Sequence, residues 1–269
     1  MPYPQNRDTA VQVEEAVRES GAVPATIAIL NGAITVGLTE SQLETLATTD
    51  DAMKLSRADL AMAVSRGAMG STTVAATMIA ADLAGIKVFA TGGIGGVHQG
   101  AELSFDVSAD LTELSRTKVT VICAGAKAIL DIPKTLEVLE TLGVPVLTYQ
   151  QDDIPAFWSR ESGLASPLRV DTINQIVDFM QARDALNIDG GVLIANPVPS
   201  ESEIPRPEMS KLIDQAVRES QEQGIHGKAV TPWLLGRIVE LSNGKSLKTN
   251  QALIKNNARL AGELACALS

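Results

Sequence analysis

The segment from Lys87 to Lys127, KVFATGGIGGVHQGAELSFDVSADLTELSRTKVTVICAGAK, constrains the fold more than any other part of the chain. Val88 to Ala90 and Val119 to Cys123 are short, bounded apolar runs with β-branched residues, the pattern of strands buried on both faces of a parallel sheet. A glycine-dense loop, His98 and the acidic pair Asp106 and Asp110 follow the first run; Ala-Gly-Ala and then Lys127 follow the second. Ligands in open α/β sheets collect beyond the carboxyl ends of strands. The region is therefore predicted to be an active site.

The rest of the chain supplies the other layers. Asp8 to Ser20 reads as an amphipathic helix after the proline-containing start Met1 to Asn6, and Pro24 to Leu30 as a strand. Asn31-Gly32 predicts a hairpin into Ala33 to Leu38, since both central positions of that turn need positive φ. Thr39 with Gln42 is a capping box for a helix through Leu46, and Asp59 is a candidate N-cap for a helix to Arg66. Gly70-Ser71-Thr72-Thr73 opens the apolar helix Val74 to Ala84, whose start is either an ordinary cap or an anion seat. Helices are also expected over Ile129 to Leu142, from Asp171 to Leu186, and over Pro207 to Gln223, Thr231 to Leu241 and Ser246 to Ala267. Strands are expected over Val144 to Tyr149 and Gly190 to Ala195, with Gln150 to Arg169 a surface or covering loop. This alternation predicts one α/β domain over residues 1–269, a three-layer α/β/α arrangement around a central mostly parallel, mixed sheet.

The candidate chemistry narrows by exclusion. The glycine run fits neither dinucleotide nor P-loop spacing: counted from Gly93 the last G-x-G-x-x-G position is His98, and after Gly100 come Ala101 and Glu102 rather than Lys and Ser/Thr. It is either a tight turn needing positive φ or a loop closing on a phosphate with Thr91 and His98 as donors. Asp106 and Asp110 would share a face if helical; at a loop-to-helix junction Ser108 or Asp110 would be the N-cap; and a hard divalent cation held by one carboxylate plus waters would use the same residues. With two histidines, His98 and His226, and two cysteines, Cys123 and Cys266, a metal would be held mainly by oxygen, pointing to Mg or Mn. The same scarcity argues against a serine or cysteine triad and against a disulfide framework. A net charge of -10 argues against nucleic-acid binding. No apolar run is long enough to span a bilayer and no charged leader precedes one, so a cytoplasmic chain is expected. Lys127 should sit at a strand's carboxyl end, where burial disfavours the ammonium form and leaves an amine able to attack a carbonyl. Lys54 is either an edge-strand charge or a second cation for an anionic substrate.

The strings MPYPQN, GAVPATIAIL, KLSRADL, GSTTVAATMIAADLAGIKVFATGGIGGVH, FDVSADL, CAGAKAILDIPKTLE, LGVPV, ANPVP, TPWLLGRI and SLKTNQALIKNNARLA closely resemble the pseudouridine-5'-phosphate glycosidase (pseudouridylate synthase) family, in one register over essentially the whole chain. The resemblance implies a manganese-dependent homotrimer that reversibly cleaves the C–C glycosidic bond of pseudouridine 5'-phosphate to uracil and ribose 5-phosphate. It further implies Lys127 as the nucleophile forming an imine with the opened sugar and Asp106 as the metal ligand, partly through waters. Ser108, Ala109 and Asp110 would line the substrate site, and Lys54, Val74, Thr91, His98 and Asn250 would lie around the substrate or its phosphate.

Two departures from the resembled family stand out. There, a strand with an Ala-Leu-Glu-Ser-Thr motif and a Ser-His-Gly precedes the segment matching MPYPQN, and its glutamate is the proton donor. The chain as given begins at Met1, so the expectation is a late-assigned start or a truncated form, short of a general acid worth about 10²–10⁴-fold and with a sheet neighbour unpaired. Gln99 stands where family members often carry arginine. The alternatives to a working glycosidase are a catalytically impaired sugar-phosphate-binding form and an aldolase-like Schiff-base lyase acting on another sugar phosphate.

Overall fold

The computed structural model describes residues 3–225 and 227–269; Met1, Pro2 and His226, named above, lie outside them. Helix α1 (Gln5–Glu19) begins earlier than the expected Asp8, because Pro4 takes the N-cap position and its carbonyl accepts the Asp8 N–H at 3.0 Å. Strands β1 (Ile27–Leu30) and β2 (Ala33–Val36) form the expected hairpin, with Asn31 at φ 51° and Gly32 at φ 76°. Helix α2 (Glu40–Thr48) carries the Thr39–Gln42 box, each side chain accepting from the other residue's backbone N–H.

Strand β3 (Met53–Leu55) holds Lys54 and passes through a 3-10 turn, Arg57–Asp59, into α3 (Leu60–Ser65). Asp59 takes the expected N-cap position of that helix, but its carboxylate makes no capping bond to it and instead accepts the Ser56 N–H at 2.9 Å, closing the turn before it. Gly70–Thr72, expected within a helix start, is instead strand β4. It pairs with β1 and β3, and a Cβ at Gly70 would come within 2.5 Å of the Met53 carbonyl oxygen, so glycine there lets the two backbones meet. Helix α4 (Val74–Leu83) follows, with Gly85 at φ 72° just beyond it.

The central segment unfolds into β5 (Val88–Ala90), β6 (Val97–His98), α5 (Ala101–Ser104), α6 (Ala109–Leu114) and β7 (Thr120–Cys123). Next come β8 (Leu130–Asp131), which pairs with β6, and α7 (Ile132–Thr141), which starts later than the expected Ile129 because Asp131 caps it, accepting the Lys134 N–H at 3.1 Å. Strand β9 (Val146–Tyr149), strand β10 (Leu168–Val170), helix α8 (Ile173–Ala185) and strand β11 (Val192–Ala195) complete the sheet. Thr172, not Asp171, caps α8. Helices α9 (Arg206–Glu222), α10 (Val230–Leu241) and α11 (Lys245–Ala267) end the chain.

The main sheet is parallel throughout, in the order β10-β9-β11-β7-β5, and a smaller mixed sheet runs β2-β1-β4-β3. Strand alternation sorts its side chains into two cores. Val121, Cys123, Leu193 and Val146 face α4, α6 and α7; Ile122, Ile194, Leu147 and Val192 face α8 and α11. Helices on both faces of a mostly parallel sheet give the expected three layers. Strand β5 ends the main sheet, and beside it a groove of about 1050 Å³ is lined by Val13, Val17, Ile27, Phe89 and Ile254 among others. No described helix is long and apolar enough to cross a membrane.

Residues 150–167 are not a surface loop. Ile154, Phe157 and Trp158 are each 2% exposed, because two large aromatic rings carry too much apolar area to leave in water. The segment's polar groups find partners inward: Trp158 Nε1 donates to the Ser246 carbonyl at 3.1 Å and Arg160 to the Val198 carbonyl at 2.8 Å.

Candidate active site

The glycine run is an extension of the sheet rather than a phosphate loop. Beyond β5 and β7 the two chains keep parallel register: Thr91 N–H donates to the Ile122 carbonyl, Ala124 to Gly92, Ile94 to Gly125 and Lys127 to Ile94, at 2.9 to 3.1 Å. Gly92, Gly93, Gly95 and Gly96 do not have positive φ; of the run's glycines only Gly100, at φ 76°, takes the conformation the tight-turn expectation called for. Their lack of a side chain serves close approach. A Cβ at Gly93 would stand 2.7 Å from the Phe157 ring, and one at Gly95 would stand 2.6 Å from Ser108 Cβ.

That extension delivers the lysine. Lys127 emerges one turn past the end of β7, and its Nζ donates to the Gly93 carbonyl at 2.8 Å. Burial is the largest influence on the amine and lowers its pKa below the ordinary 10.5. Asp110 and Cys123 push the other way, and Lys54 adds a further lowering push. The Cys123 thiol, wholly buried in β7, is pushed up to about 12 by that burial and stays an inert packing group.

Asp110 is not an N-cap; Ser108 is, its Oγ accepting the Asp110 N–H at 3.2 Å. The Asp110 carboxylate, 5% exposed, instead accepts from the Ala75 N–H at 2.9 Å and the Gly95 N–H at 2.8 Å. The protein's own carboxylate thus takes a backbone donor in the first turn of α4, part of the seat that could have received an external anion. Asp106 differs: it is exposed, and among the described residues its carboxylate makes no hydrogen bond or ion pair. No cluster of three or more metal-ligating side chains exists among the described residues.

A cleft of about 1360 Å³ joins these groups. Lys54, Val74, His98, Asp106, Ser108, Asp110, Lys127 and Asn250 all line it. Two expected residues do not. Ala109 is not on its wall, and Thr91 lies in the groove beside β5, joined to the site through its backbone. Gln99 is exposed and also off the cleft wall. Thr73, part of the candidate anion seat, lines the cleft as well; the sequence reading missed Trp158, and it missed the apolar residues Leu235 and Val239 of α10, which close the cleft from the far end of the chain. No local pattern marks them, because the contact is made across more than a hundred residues of chain.

A buried amide relay stiffens the site from behind. Asn257 on α11, fully buried, donates to the Thr91 carbonyl at 2.8 Å and accepts from Asn196 at 3.0 Å. Asn257→Leu would strand both partners in a dry interior, and is expected to cost about 2–4 kcal/mol of unfolding free energy. Urea unfolding of the variant against wild type checks this; a loss well under 1 kcal/mol would mean that water replaces the amide.

The arrangement is a buried amine, a nearby cation, an unengaged carboxylate and a large cleft at the carboxyl end of a parallel sheet. The profile of the indigoidine synthase A like proteins matches residues 1–267. A pseudouridine-5'-phosphate glycosidase of Paracoccus denitrificans is 62% identical over 271 residues, covering 100% of this chain and 89% of that protein. One from Solibacter usitatus is 61% identical over 265 residues, covering 98% and 89%. Among solved structures, the prealnumycin C-glycosynthase AlnA in complex with ribulose 5-phosphate superposes with a TM-score of 0.92 at 39% identity, covering 99% of this chain and 88% of that one. An indigoidine synthase A-like protein from Thermotoga maritima gives a TM-score of 0.91 at 36% identity, covering 100% and 88%.

Proposed function

Because the chain belongs to the indigoidine synthase A like family and, within it, among relatives named pseudouridine-5'-phosphate glycosidases, we propose that it cleaves the C–C glycosidic bond of pseudouridine 5'-phosphate reversibly. One observation carries the reading: the Lys127 amine is buried, its pKa lowered, and it is aimed by the Gly93 carbonyl into the cleft. The ribulose 5-phosphate complex of AlnA supports a sugar phosphate as the kind of molecule such a cleft accepts.

A C–C bond to a sugar carbon leaves no heteroatom to protonate, so the paired-carboxylate chemistry of O-glycosidases is ill suited. An amine at the sugar's C1 solves this by supplying an electron sink. In the direction of synthesis, Lys127 condenses with the open-chain aldehyde of ribose 5-phosphate with loss of water, the iminium carbon bonds to C5 of uracil, C5 gives up its proton, and the sugar's 4-hydroxyl closes on C1 and displaces the amine. In cleavage Lys127 attacks C1 as the ring C1–O4 bond opens and O4 takes a proton; C5 is then protonated, the C1–C5 bond breaks to leave uracil and the iminium, and water hydrolyses the imine, releasing the sugar and restoring the amine. Lys54 and His98 stand on the same wall to meet the phosphate.

Mn²⁺ is the proposed cofactor. Hard divalent cations are often held by one or two carboxylates together with waters and substrate phosphate, and the unengaged Asp106 carboxylate fits that role. The ion would supply positive charge to the anionic substrate. The same reading carries a cytoplasmic homotrimer; Leu103 and Phe105, at 87% and 85% exposure beside the cleft, are the apolar surface a neighbouring copy would cover.

Uracil release from pseudouridine 5'-phosphate and Mn²⁺ by the purified chain, followed by ultraviolet absorbance, tests the reading. Sugar-phosphate binding without turnover is the second reading. It is favoured by Asp110, the carboxylate nearest the amine's field, being engaged by two backbone N–H groups rather than free to carry a proton. Borohydride trapping with ribose 5-phosphate separates both from a lyase acting on another sugar: an adduct elsewhere than Lys127 overturns the assignment.

A further inference from the structure

We propose that Phe157 is a positioning residue for Lys127: its ring, pressed onto Gly92 and Gly93, fixes the carbonyl that holds the amine and keeps water from reaching it from behind. The inference rests on the reading of Lys127 as the reacting amine.

The backbone is the first observation. Phe157 sits at φ 61°, in a turn closed by reciprocal bonds between Ala156 and Ser159 at 3.0 and 3.3 Å. Glycine or asparagine would occupy such a position with little strain. A phenylalanine persists there only when its surroundings over-determine it, and such outliers gather at functional sites.

The surroundings are the second. The Phe157 N–H donates to the Ala124 carbonyl at 3.0 Å, anchoring the turn to the strand end that leads to Lys127. The Phe157 and Trp158 rings meet edge to face at 4.9 Å, and Trp158 in turn lines the cleft. A Cβ at Gly93 would stand 2.7 Å from the Phe157 ring, and one at Gly92 would stand 3.7 Å from it. The ring therefore occupies the space a side chain at Gly93 would need and lies in contact range of one at Gly92. Gly93 is the residue whose carbonyl accepts the Lys127 proton at 2.8 Å. Truncating the ring opens room for water against that carbonyl and lets it move.

Phe157→Leu, Phe157→Ala and Phe157→Asn in the full chain test the proposal, the last relieving the backbone while removing the ring. The pH dependence of Lys127 labelling by trinitrobenzenesulfonate, located by peptide mass spectrometry, is measured beside kcat and KM for pseudouridine 5'-phosphate. The other groups facing the amine, Asp110 on α6, Cys123 on β7 and Lys54 on β3, are unchanged in every variant. The labelling midpoint is expected to rise by about one pH unit in the alanine and asparagine variants and less in the leucine variant. A shift of that size lowers kcat about tenfold near neutral pH while KM changes little. A variant that loses thermal stability but keeps the wild-type midpoint and kcat would show packing alone and overturn the proposal. Labelling needs no substrate. Absence of uracil release by wild type would sink the glycosidase reading, whereas an unmoved midpoint would sink this one.

Discussion

Lys127→Met is expected to reduce uracil release by on the order of 10⁴-fold or more and to abolish borohydride trapping of ribose 5-phosphate, with the chain still folded. Among the described residues, Lys54 is the one other lysine on the cleft wall. Lys54 is exposed to water, whereas Lys127 is half-buried and held against the Gly93 carbonyl at 2.8 Å. Burial disfavours its charged form, so its folded pKa lies below the 10.5 of the unfolded chain. Between those two values the unfolded chain binds more protons, so stability rises with pH across that window. The cost of burying the amine is therefore complete below the folded pKa and disappears above 10.5. Methionine removes that cost, so the variant should keep or raise the melting temperature at neutral pH. In wild type, imine formation should accelerate with pH and level off before 10.5. Residual turnover within tenfold of wild type, or a trapped adduct on Lys54, would contradict the mechanism.

Asp110→Asn is expected to destabilise the fold by roughly 2–4 kcal/mol and to disturb the site as well. Each carboxylate oxygen accepts one backbone N–H, from Ala75 at the start of α4 and from Gly95 in the glycine run. An asparagine of the same shape replaces one acceptor by an NH₂ group, which must then face a backbone donor in a buried place. The substitution also removes the negative charge that holds the Lys127 pKa up, so the amine should lose its proton at lower pH than in wild type. Chemical denaturation and the pH dependence of imine trapping read the two effects separately. Unchanged stability would mean that α4 and the glycine run are held by other contacts; an unchanged trapping profile would mean that Asp110 lies outside the amine's field.

Four of the five strands of the main parallel sheet are legible without coordinates because a strand buried on both faces must be apolar along its length, whereas the edge strand β10, with Leu168 and Arg169 exposed, was read as loop. Val88–Ala90, Thr120–Cys123, Val146–Tyr149 and Val192–Ala195 all appear where such runs occur. Helix caps are legible for a similar reason, since one side chain answers one local backbone group: Thr39 with Gln42 and Asn31-Gly32 read correctly from neighbours alone. Lys127 follows from the same logic, a charged residue placed directly after a buried strand and small residues.

Long-range contacts did not announce themselves. The glycine run looked like a turn or a phosphate loop, and its spacing could not reveal that Phe157, Ser108 and Asp110 come from elsewhere to fill the room its missing side chains leave. The Ser/Thr-rich start of α4 looked open to an anion, yet a carboxylate from α6 already takes one of its donors. Residues 150–169 read only as a surface or covering loop because they lack periodicity, whereas the burial of Phe157 depends on its ring finding the glycine run.

Composition and local pattern thus determined most of the helices and the buried strands of the main sheet, and placed a lysine directly after one of those strands, since those depend on neighbours in the chain. Which way Asp110 points, that Thr91 contributes its backbone to the site from the neighbouring groove, and that α10 closes the cleft were decided only when the chain packed. Those outcomes depend on volumes and hydrogen-bond partners contributed by residues distant in sequence, which no local pattern encodes.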